Sequence, residues 1–570
     1  MATREATPTG QPTRHLDVYA GIDFGTTYSK IAIAIPDRTG RVEPRHCYAH
    51  CIEAFKFKGS KVPTKYPTGI YNGPEYDGKW LEWFKLSLPH KDDLPHDLRV
   101  SKKLDILTKE REALDMSAVD VTSNFLGVIW KHAHEEICDR VKQIDEFAQY
   151  HVVITVTVPV VWPADARKKL YQAIQSANIL GPNVRLARKF VTEAEATGIA
   201  LMSATSVYPG NLQGSRFQVR DTVIICDCGG GTTDLISYQV VSIQPFAVRE
   251  ISPGKCIFAG GSLVDEAFLD LVKGKAKREC PRPTFKALTN EDFHEFVESI
   301  WDENLKINHS LGMAGTRFRL PANFLGSQAR RQPRAHPDSL NMTFTVYEAA
   351  DEYSKDDING VFDPIVDQIV NLVKSEMSLV SRETGNPTKH VFMAGGFGLN
   401  LYLQEKMKIM AKRSSPSTNI VCFEGDQGWT AVARGAVFHG IQANSQSNQP
   451  IVQVNSRASR EGYGLESSTD ISILWLVNPG DELSADGQNR RPVPPQAVWH
   501  GRYGRSYVNM YRQEGPNAIP GFASCLSWNA VGELQNLEFN FHWDGTRMHY
   551  VLLYRCNQQV PLTIENYYDL

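Results

Sequence analysis

Apolar residues form several short, nearly continuous runs along the chain, and two of these runs carry the same motif. Val18 to Ile35 predicts a pair of strands around the turn Asp-Phe-Gly-Thr-Thr. Val223 begins a second pair of strands around the turn Asp-Cys-Gly-Gly-Gly-Thr-Thr. The two aspartates, Asp23 and Asp227, lie 204 positions apart (227 − 23). That separation is too long for a short tandem repeat and is typical of two copies of one domain.

Each motif is followed by alternating strand and helix patterns. Residues 151–159 predict a buried strand, and Trp162-Pro163 precedes an apolar stripe with helical spacing. A second stripe begins at Val361 and predicts a long helix before the strand at His390. We therefore expect an α/β region over residues 16–441, with lobes at about 16–220 and 221–441, after a flexible tail at 1–15.

The end of the chain has a different pattern. A polar segment, residues 442–450, predicts a linker. Beyond it, apolar residues alternate with polar ones on both sides of Asp544-Gly545, which predicts a β-hairpin. We expect residues 451–570 to form a β-rich, substrate- or partner-binding domain that is only weakly coupled to the rest through the linker.

Composition restricts the classes of function. The chain has 570 residues and a formal net charge of −3, so its overall charge gives no indication of nucleic-acid or membrane partners. It contains no apolar run of the roughly 18 to 20 residues that span a bilayer, and its first residues do not resemble a secretory signal. Its ten cysteines are irregularly spaced. These features favour a cytoplasmic protein.

The chemistry of the two motifs favours binding of Mg-ATP. A turn rich in Gly and Thr offers backbone N–H groups and hydroxyls to phosphates, and an Asp at the strand end holds a divalent cation through water. Asp23-Phe-Gly25 also spells the magnesium motif of protein kinases, but too few residues precede it for a kinase lobe. The chain has no Gly-x-x-x-x-Gly-Lys-Ser/Thr phosphate loop.

The ordered set of motifs resembles the actin-like ATPase superfamily and, within it, the heat-shock protein 70 family. The set comprises Asp-x-Gly-Thr-Thr, Glu193, Asp-x-Gly-Gly-Gly-Thr and Ala-Gly-Gly-x-Gly, and the resemblance spans about residues 17 to 441. It implies duplicated actin-like (ribonuclease H-like) lobes with ATP or ADP in the cleft between them, followed by the C-terminal β-rich domain.

The resemblance also implies roles for individual residues. Asp23 and Asp227 would hold the hydrated Mg2+, Glu193 would supply an acid, and Lys85 would position the attacking water. A surface position for Lys85 remains an open alternative. The phosphate turns are Gly25, Thr26, Thr27 and Tyr28, and Gly229, Gly230, Gly231 and Thr232. The residues expected beside the nucleoside are Glu303, Lys306, Ser310, Gly395 and Gly396.

Two departures from the family pattern concern the adenosine site. Ile307 stands where the family usually has a basic residue, and Trp429 stands where it often has an Asp.

No helical segment long enough for a lid follows the β-rich region. The sequence thus predicts a divergent, lidless, ATP-hydrolysing chaperone-like protein with a protein client or co-chaperone as partner. A sugar or other small-molecule kinase and a low-turnover ATP-binding scaffold remain alternatives.

Overall fold

The computed structural model describes most of the chain. The described residues are 15–36, 47–50, 66–71, 80–94, 96–145, 148–207, 216–279, 282–301, 305–311, 316–319, 324, 341–344, 357–423, 426–444, 452–485, 488–500, 505–514, 519–529, 537–543, 548–554, 558–559 and 563–565. Of the predicted tail at 1–15, only the last residue is described. Most of the predicted linker at 442–450 also lies outside the described residues.

The first half of the chain folds around one mixed β-sheet. The strands of this half are β1 His15–Asp23, β2 Tyr28–Ala34, β3 Cys47–His50, β4 Tyr66–Pro67, β5 Gly69–Tyr71, β6 Trp80–Glu82, β7 Gln149–Val158, β8 Val184–Leu186 and β9 Val191–Thr192, of which β5 and β6 form a separate two-stranded sheet. The main order is β3-β2-β1-β7-β8. The first three strands are antiparallel, whereas β7 runs parallel to β1, and β8 runs parallel to β7.

The described residues of the first half also form helices. They are α1 His96–Arg99, α2 Lys102–Glu112, α3 Ala118–Ile144, α4 Ala164–Ser176 and α5 Glu193–Val207, with a 3-10 helix at Phe84–Ser87. A capping box starts α3, because Ser117 Oγ accepts from the Asp120 N–H and Asp120 Oδ2 accepts from the Ser117 N–H. The helix predicted after Trp162-Pro163 is α4, and its apolar stripe is buried.

The second half repeats this arrangement. Its strands are β10 Thr222–Cys228, β11 Thr233–Ile243, β12 Phe246–Ile257, β13 Thr316–Arg319, β14 Asn341–Phe344, β15 His390–Ala394 and β16 Asn419–Cys422. Its helices are α6 Gly261–Glu279, α7 Arg282–Ala287, α8 Asn290–Ile300, α9 Lys306–Asn308, α10 Asp357–Thr384, α11 Leu401–Ser414 and α12 Ala431–Asn444. The order β12-β11-β10-β15-β16 has the same pattern of antiparallel and parallel neighbours as the first sheet. The α/β class predicted from the sequence is confirmed.

The two halves exchange helices across their interface. Helix α12 from the second half packs on β1 of the first sheet, and α5 from the first half packs on β10 and β11. The approach is close: a Cβ on Gly21 would lie 2.2 Å from the Ala433 carbonyl oxygen, and one on Gly435 would lie 1.8 Å from that of Ala196. Only glycine permits these backbone contacts. A hydrophobic cluster with residues of both halves therefore lies between the two sheets, and each half has a further cluster of its own.

The C-terminal residues are β-rich, as the alternating pattern predicted. The strands are β17 Gln453–Ala458, β18 Glu461–Glu466, β19 Ile473–Val477, β20 Glu482–Ser484, β21 Asn489–Pro492, β22 Trp499–His500, β23 Arg505–Glu514, β24 Gly521–Asn529, β25 Leu537–Trp543, β26 Met548–Tyr554, β27 Gln558–Gln559 and β28 Thr563–Glu565. The predicted hairpin is β25–β26, and its turn, residues 544–547, lies outside the described residues. Two sheets, β19-β18-β23-β24-β28 and β21-β25-β26-β27, share a core that includes Leu465, Met510 and Phe541.

This C-terminal region begins inside the second sheet. Strand β17 runs parallel to β12, and β20 pairs with β17, so both extend the sheet that carries Asp227. Helix α12 continues to Asn444 and so includes the first three residues of the segment predicted as a linker. The structure therefore joins the C-terminal region to the second half through backbone hydrogen bonds as well as through the connecting segment.

In the described part of the chain, no helix is both long enough and apolar enough to cross a membrane.

Candidate functional site

The first predicted phosphate turn connects β1 to β2. Asp23 ends β1 and lies opposite Lys30 of β2, whose Nζ donates to Asp23 Oδ2 over 2.7 Å. A Cβ on Gly25 would lie 2.1 Å from the Tyr28 carbonyl oxygen, so the tight turn requires glycine at that position. Asp23 is 4% exposed. The turn thus presents its Thr pair beside a buried, ion-paired carboxylate.

The second predicted turn has the same construction. Asp227 lies near the end of β10 opposite Asp234 of β11, and the Gly229 N–H donates to the Thr232 carbonyl oxygen over 2.8 Å. The N–H groups of Gly261 and Ser262, at the start of α6, donate to the carbonyl oxygens of Gly229 and Gly230. These bonds fix the second turn to the N-terminus of a 19-residue helix.

The two turns touch each other. A Cβ on Gly230 would lie 1.8 Å from Thr27 Oγ1, and one on Gly231 would lie 3.1 Å from Thr26 Cγ2. Residues more than 200 positions apart in the sequence therefore form one site where the two sheets meet. The side chains of Thr26 and Thr27 occupy the space next to the second turn.

Lys85 and Glu193 form a buried ion pair beside the turns. Lys85 lies in the 3-10 helix at Phe84–Ser87 and is 2% exposed. Its Nζ donates to Glu193 Oε1 over 2.5 Å, and Glu193 begins α5. Burial raises the pKa of Glu193, and the Lys85 ammonium opposes that rise. The surface position considered for Lys85 is therefore wrong.

Burial also perturbs the two carboxyl groups of the second turn. Burial raises the pKa of Asp227 to about 7; Lys30 lowers it, and the charges of Asp23 and Glu193 raise it further. Burial raises the pKa of Asp234 to about 8, with further increases from Glu193 and Asp227. Four acidic side chains thus influence one another in a small volume, as happens at many functional sites.

Three of the five residues expected beside the nucleoside, namely Gly395, Gly396 and Lys306, lie close to the second turn or to residues around it. Gly395, with φ of +75°, follows β15, and a Cβ there would lie 2.5 Å from Asp227 Oδ1. A Cβ on Gly396 would lie 2.0 Å from Trp429 Cζ3. Lys306 Nζ bonds Asp265 Oδ1 over 2.6 Å, and a Cβ on Gly261 would lie 3.4 Å from that Nζ.

The remaining two predicted nucleoside residues have different outcomes. Ser310 is half-buried just after α9, and no described contact of its side chain joins it to the turns. Glu303 lies outside the described residues.

Sequence reasoning missed three residues that contact the predicted carboxylates or lie opposite them. Lys30 bonds Asp23, and Thr197 Oγ1 donates to Asp227 Oδ2 over 3.1 Å. Asp234 lies opposite Asp227. A sequence signal existed for two of them: Lys30 and Asp234 each stand seven positions after their motif aspartate (30 − 23 and 234 − 227), which places each opposite that aspartate in a hairpin.

These contacts do not fit a hydrated Mg2+ held between Asp23 and Asp227. The Lys30 ammonium already bonds Asp23 Oδ2, so a divalent ion coordinated by that oxygen would have to displace it. Among the residues that the structure describes, no group of three or more His, Cys, Asp or Glu side chains is arranged to hold a metal ion.

No known protein-family model matches the chain, and no curated protein matches it.

Proposed function

We propose that this chain binds ATP between the two Gly-Thr turns and hydrolyses it, as a divergent, chaperone-like relative of the heat-shock protein 70 family. The observation that carries the proposal is the contact between the turns, with Gly230 against Thr27. The N–H groups and Thr hydroxyls of two such turns would form a suitable cradle for a triphosphate.

The repeated topology supports duplicated actin-like lobes. Both sheets have three antiparallel strands followed by two parallel ones, and in both the motif Asp lies at the end of the strand that joins the two types. Ligands in α/β sheets commonly bind at the carboxyl ends of such strands. Helices α5 and α12 each contact the opposite half of the chain. A change in the angle between the halves would therefore move the two turns relative to each other.

Hydrolysis needs charge neutralisation and a positioned water more than covalent chemistry. Lys85 and Glu193 form a charged pair beside the turns, and the elevated pKa of Asp227, about 7, would let it exchange a proton near neutral pH. Lys306, which is paired with Asp265, and the N-terminus of α6, whose first N–H groups bond the second turn, also lie close to this site.

A small-molecule kinase is the second candidate, and one observation favours it. Asp234 is a buried carboxyl group with a raised pKa next to the turns, and a sugar kinase needs such a carboxylate as a base. The C-terminal β-rich region, which joins the second sheet through β17, favours the chaperone-like switch instead, because a kinase has no evident use for it.

Phosphate release distinguishes the candidates. Purified full-length protein is incubated with Mg-ATP alone, with a panel of sugars, and with unfolded peptides. We expect slow phosphate release by the protein alone and a change in rate with peptide. ADP formation that depends on a sugar, without phosphate release, would favour the kinase. ATP binding without release of phosphate in any mixture would identify a low-turnover scaffold.

A further inference from the structure

The position of Lys30 is fixed by strand register. Lys30 and Asp23 are direct neighbours across the antiparallel β1–β2 pair, so the ammonium reaches the carboxylate without crossing the site. The Nζ to Oδ2 distance is 2.7 Å, and the two side chains are 10% and 5% exposed. A buried lysine in an ion pair this short is a fixed positive charge at the base of the first turn.

A second contact holds the same ammonium from the other half of the chain. Lys30 Nζ lies 4.6 Å from the centre of the Trp429 ring, which belongs to the segment just before α12. Trp429 also packs against Gly396 and lies near Tyr28. A cation over the face of an indole is attracted to it. Lys30 is thus held between a carboxylate of the first half and an aromatic ring of the second.

The carboxyl groups around Lys30 indicate a neutralising role for its ammonium. Four carboxyl groups, those of Asp23, Glu193, Asp227 and Asp234, influence one another at the site, and Lys85 is paired with Glu193. Lys30 is the strongest of the influences that lower the pKa of Asp227. The equivalent position of the second hairpin carries Asp234, so the two hairpins differ in charge at this one register position.

The geometry points to Lys30 as a tethered cation that takes over part of the charge neutralisation expected of a divalent ion. This inference rests on the proposed ATP binding. An ammonium is a point charge that binds phosphate oxygens directly. Mg2+ needs near-ideal octahedral geometry and gives up water reluctantly, so it competes poorly with an ammonium already bonded to Asp23. Binding of ATP to this chain should therefore depend only weakly on Mg2+.

The test compares nucleotide affinity with and without divalent ions. Fluorescent ATP is titrated into full-length wild type, Lys30→Met and Lys30→Arg, each in Mg2+ and in EDTA. We expect EDTA to weaken binding to wild type and Lys30→Arg by less than about threefold, and binding to Lys30→Met by about tenfold or more. Lys109→Met removes an exposed lysine on α2 and should behave as wild type.

A second readout needs no nucleotide. Electron paramagnetic resonance measures Mn2+ bound to each protein in the absence of ATP. Wild type should bind none, whereas Lys30→Met, which leaves Asp23 and Asp227 without their ammonium, should bind the ion. Lys30→Gln, which keeps a hydrogen-bond donor for Asp23, replaces the Met variant if that variant does not fold.

The outcomes distinguish failure of the tethered-cation inference from failure of the proposed ATP binding. Two results would refute the tethered-cation inference: EDTA weakens ATP binding to wild type as much as to Lys30→Met, or Mn2+ binds both proteins equally or neither of them. Neither result would contradict the proposed ATP binding. If wild type binds no ATP under any condition while Mn2+ binds only Lys30→Met, the proposed function is refuted. Lys30 would still be the cation that neutralises Asp23 and Asp227.

Discussion

Arg457 donates two hydrogen bonds to the carboxylate of Glu195, from Nη2 to Oε1 over 2.6 Å and from Nε to Oε2 over 3.3 Å. Arg457 belongs to β17 of the C-terminal region, and Glu195 lies in the first turn of α5. Burial alone would raise the pKa of Glu195, but the Arg457 guanidinium, together with His439 and Arg460, outweighs it, so the pKa lies below its usual value. Glu193 of the Lys85 pair is in the same helical turn. This contact argues against the weak coupling expected from a polar linker.

We expect Arg457→Met to lower the free energy of unfolding by about 3–5 kcal/mol, because it leaves a buried carboxylate without its partner. The double variant Arg457→Met/Glu195→Gln should regain most of that loss, since it removes the unpaired charge. Arg382→Met, which breaks an exposed pair with Glu383, should cost less than about 1 kcal/mol. Urea denaturation of the three variants checks this. Equal losses in Arg457→Met and Arg382→Met would mean that the buried pair contributes nothing.

Stability should decrease as pH rises through the neutral range. In the folded chain Asp227 and Asp234 have pKa values of about 7 and about 8 because they are buried, whereas unfolded aspartate titrates near about 3.9. Between these values the folded state binds more protons than the unfolded state, so the free energy of unfolding falls with increasing pH, by up to about 1.4 kcal/mol per pH unit for each group. The stabilising protonation is complete below the unfolded pKa and lost above the folded one.

Asp234→Asn tests this pH dependence, because it removes one of the two titrating groups. We expect a shallower decline in the free energy of unfolding between about pH 4 and about pH 8, and a more stable protein at the upper end. Asp105→Asn, at an exposed position on α2, serves as the control and should leave the decline unchanged. A wild-type profile that rises with pH in this window would contradict the burial of these two carboxyl groups.

The Lys85–Glu193 pair gives a prediction about turnover. Lys85→Met should slow phosphate release by about a hundredfold, since it removes a positive charge next to the reacting phosphate, while ATP affinity changes little. It should also destabilise the fold, because Glu193 is left buried and unpaired.

Lys85→Met/Glu193→Gln separates the two effects. Its stability should recover towards wild type while phosphate release stays slow. Recovery of both quantities together would mean that Lys85 acts only by holding the fold together.

The repeated Asp motif allowed much of the fold to be predicted. Strong apolar runs and a helical stripe predicted β1, β2, β7, α4 and α10, because buried strands and amphipathic helices leave patterns within a few residues. Asp23 and Asp227 were predicted to be equivalent, and both lie near the ends of matching strands. These features depend on local sequence.

Contacts between distant residues left no such pattern. The burial of Lys85 depends on Glu193, 108 positions later, and the Arg457–Glu195 pair joins residues 262 positions apart. Charged residues are usually exposed, so the sequence alone gives no reason to bury these. The sequence also did not predict the pairing of β17 with β12. The polar segment before β17 predicts a linker, and strand pairing uses backbone N–H and C=O groups, which leave no side-chain pattern in the sequence.

Equilibrium binding of ATP tests the central claim that the two turns form one nucleotide site. Isothermal titration calorimetry is performed on wild type, on Gly230→Ala and on Gly360→Ala, whose added Cβ would meet no atom within 4 Å. The account predicts that wild type and Gly360→Ala bind ATP with similar affinity, and that Gly230→Ala, whose Cβ would collide with Thr27, loses at least about tenfold in affinity. Unchanged binding in Gly230→Ala, or no heat of binding in wild type, would contradict it.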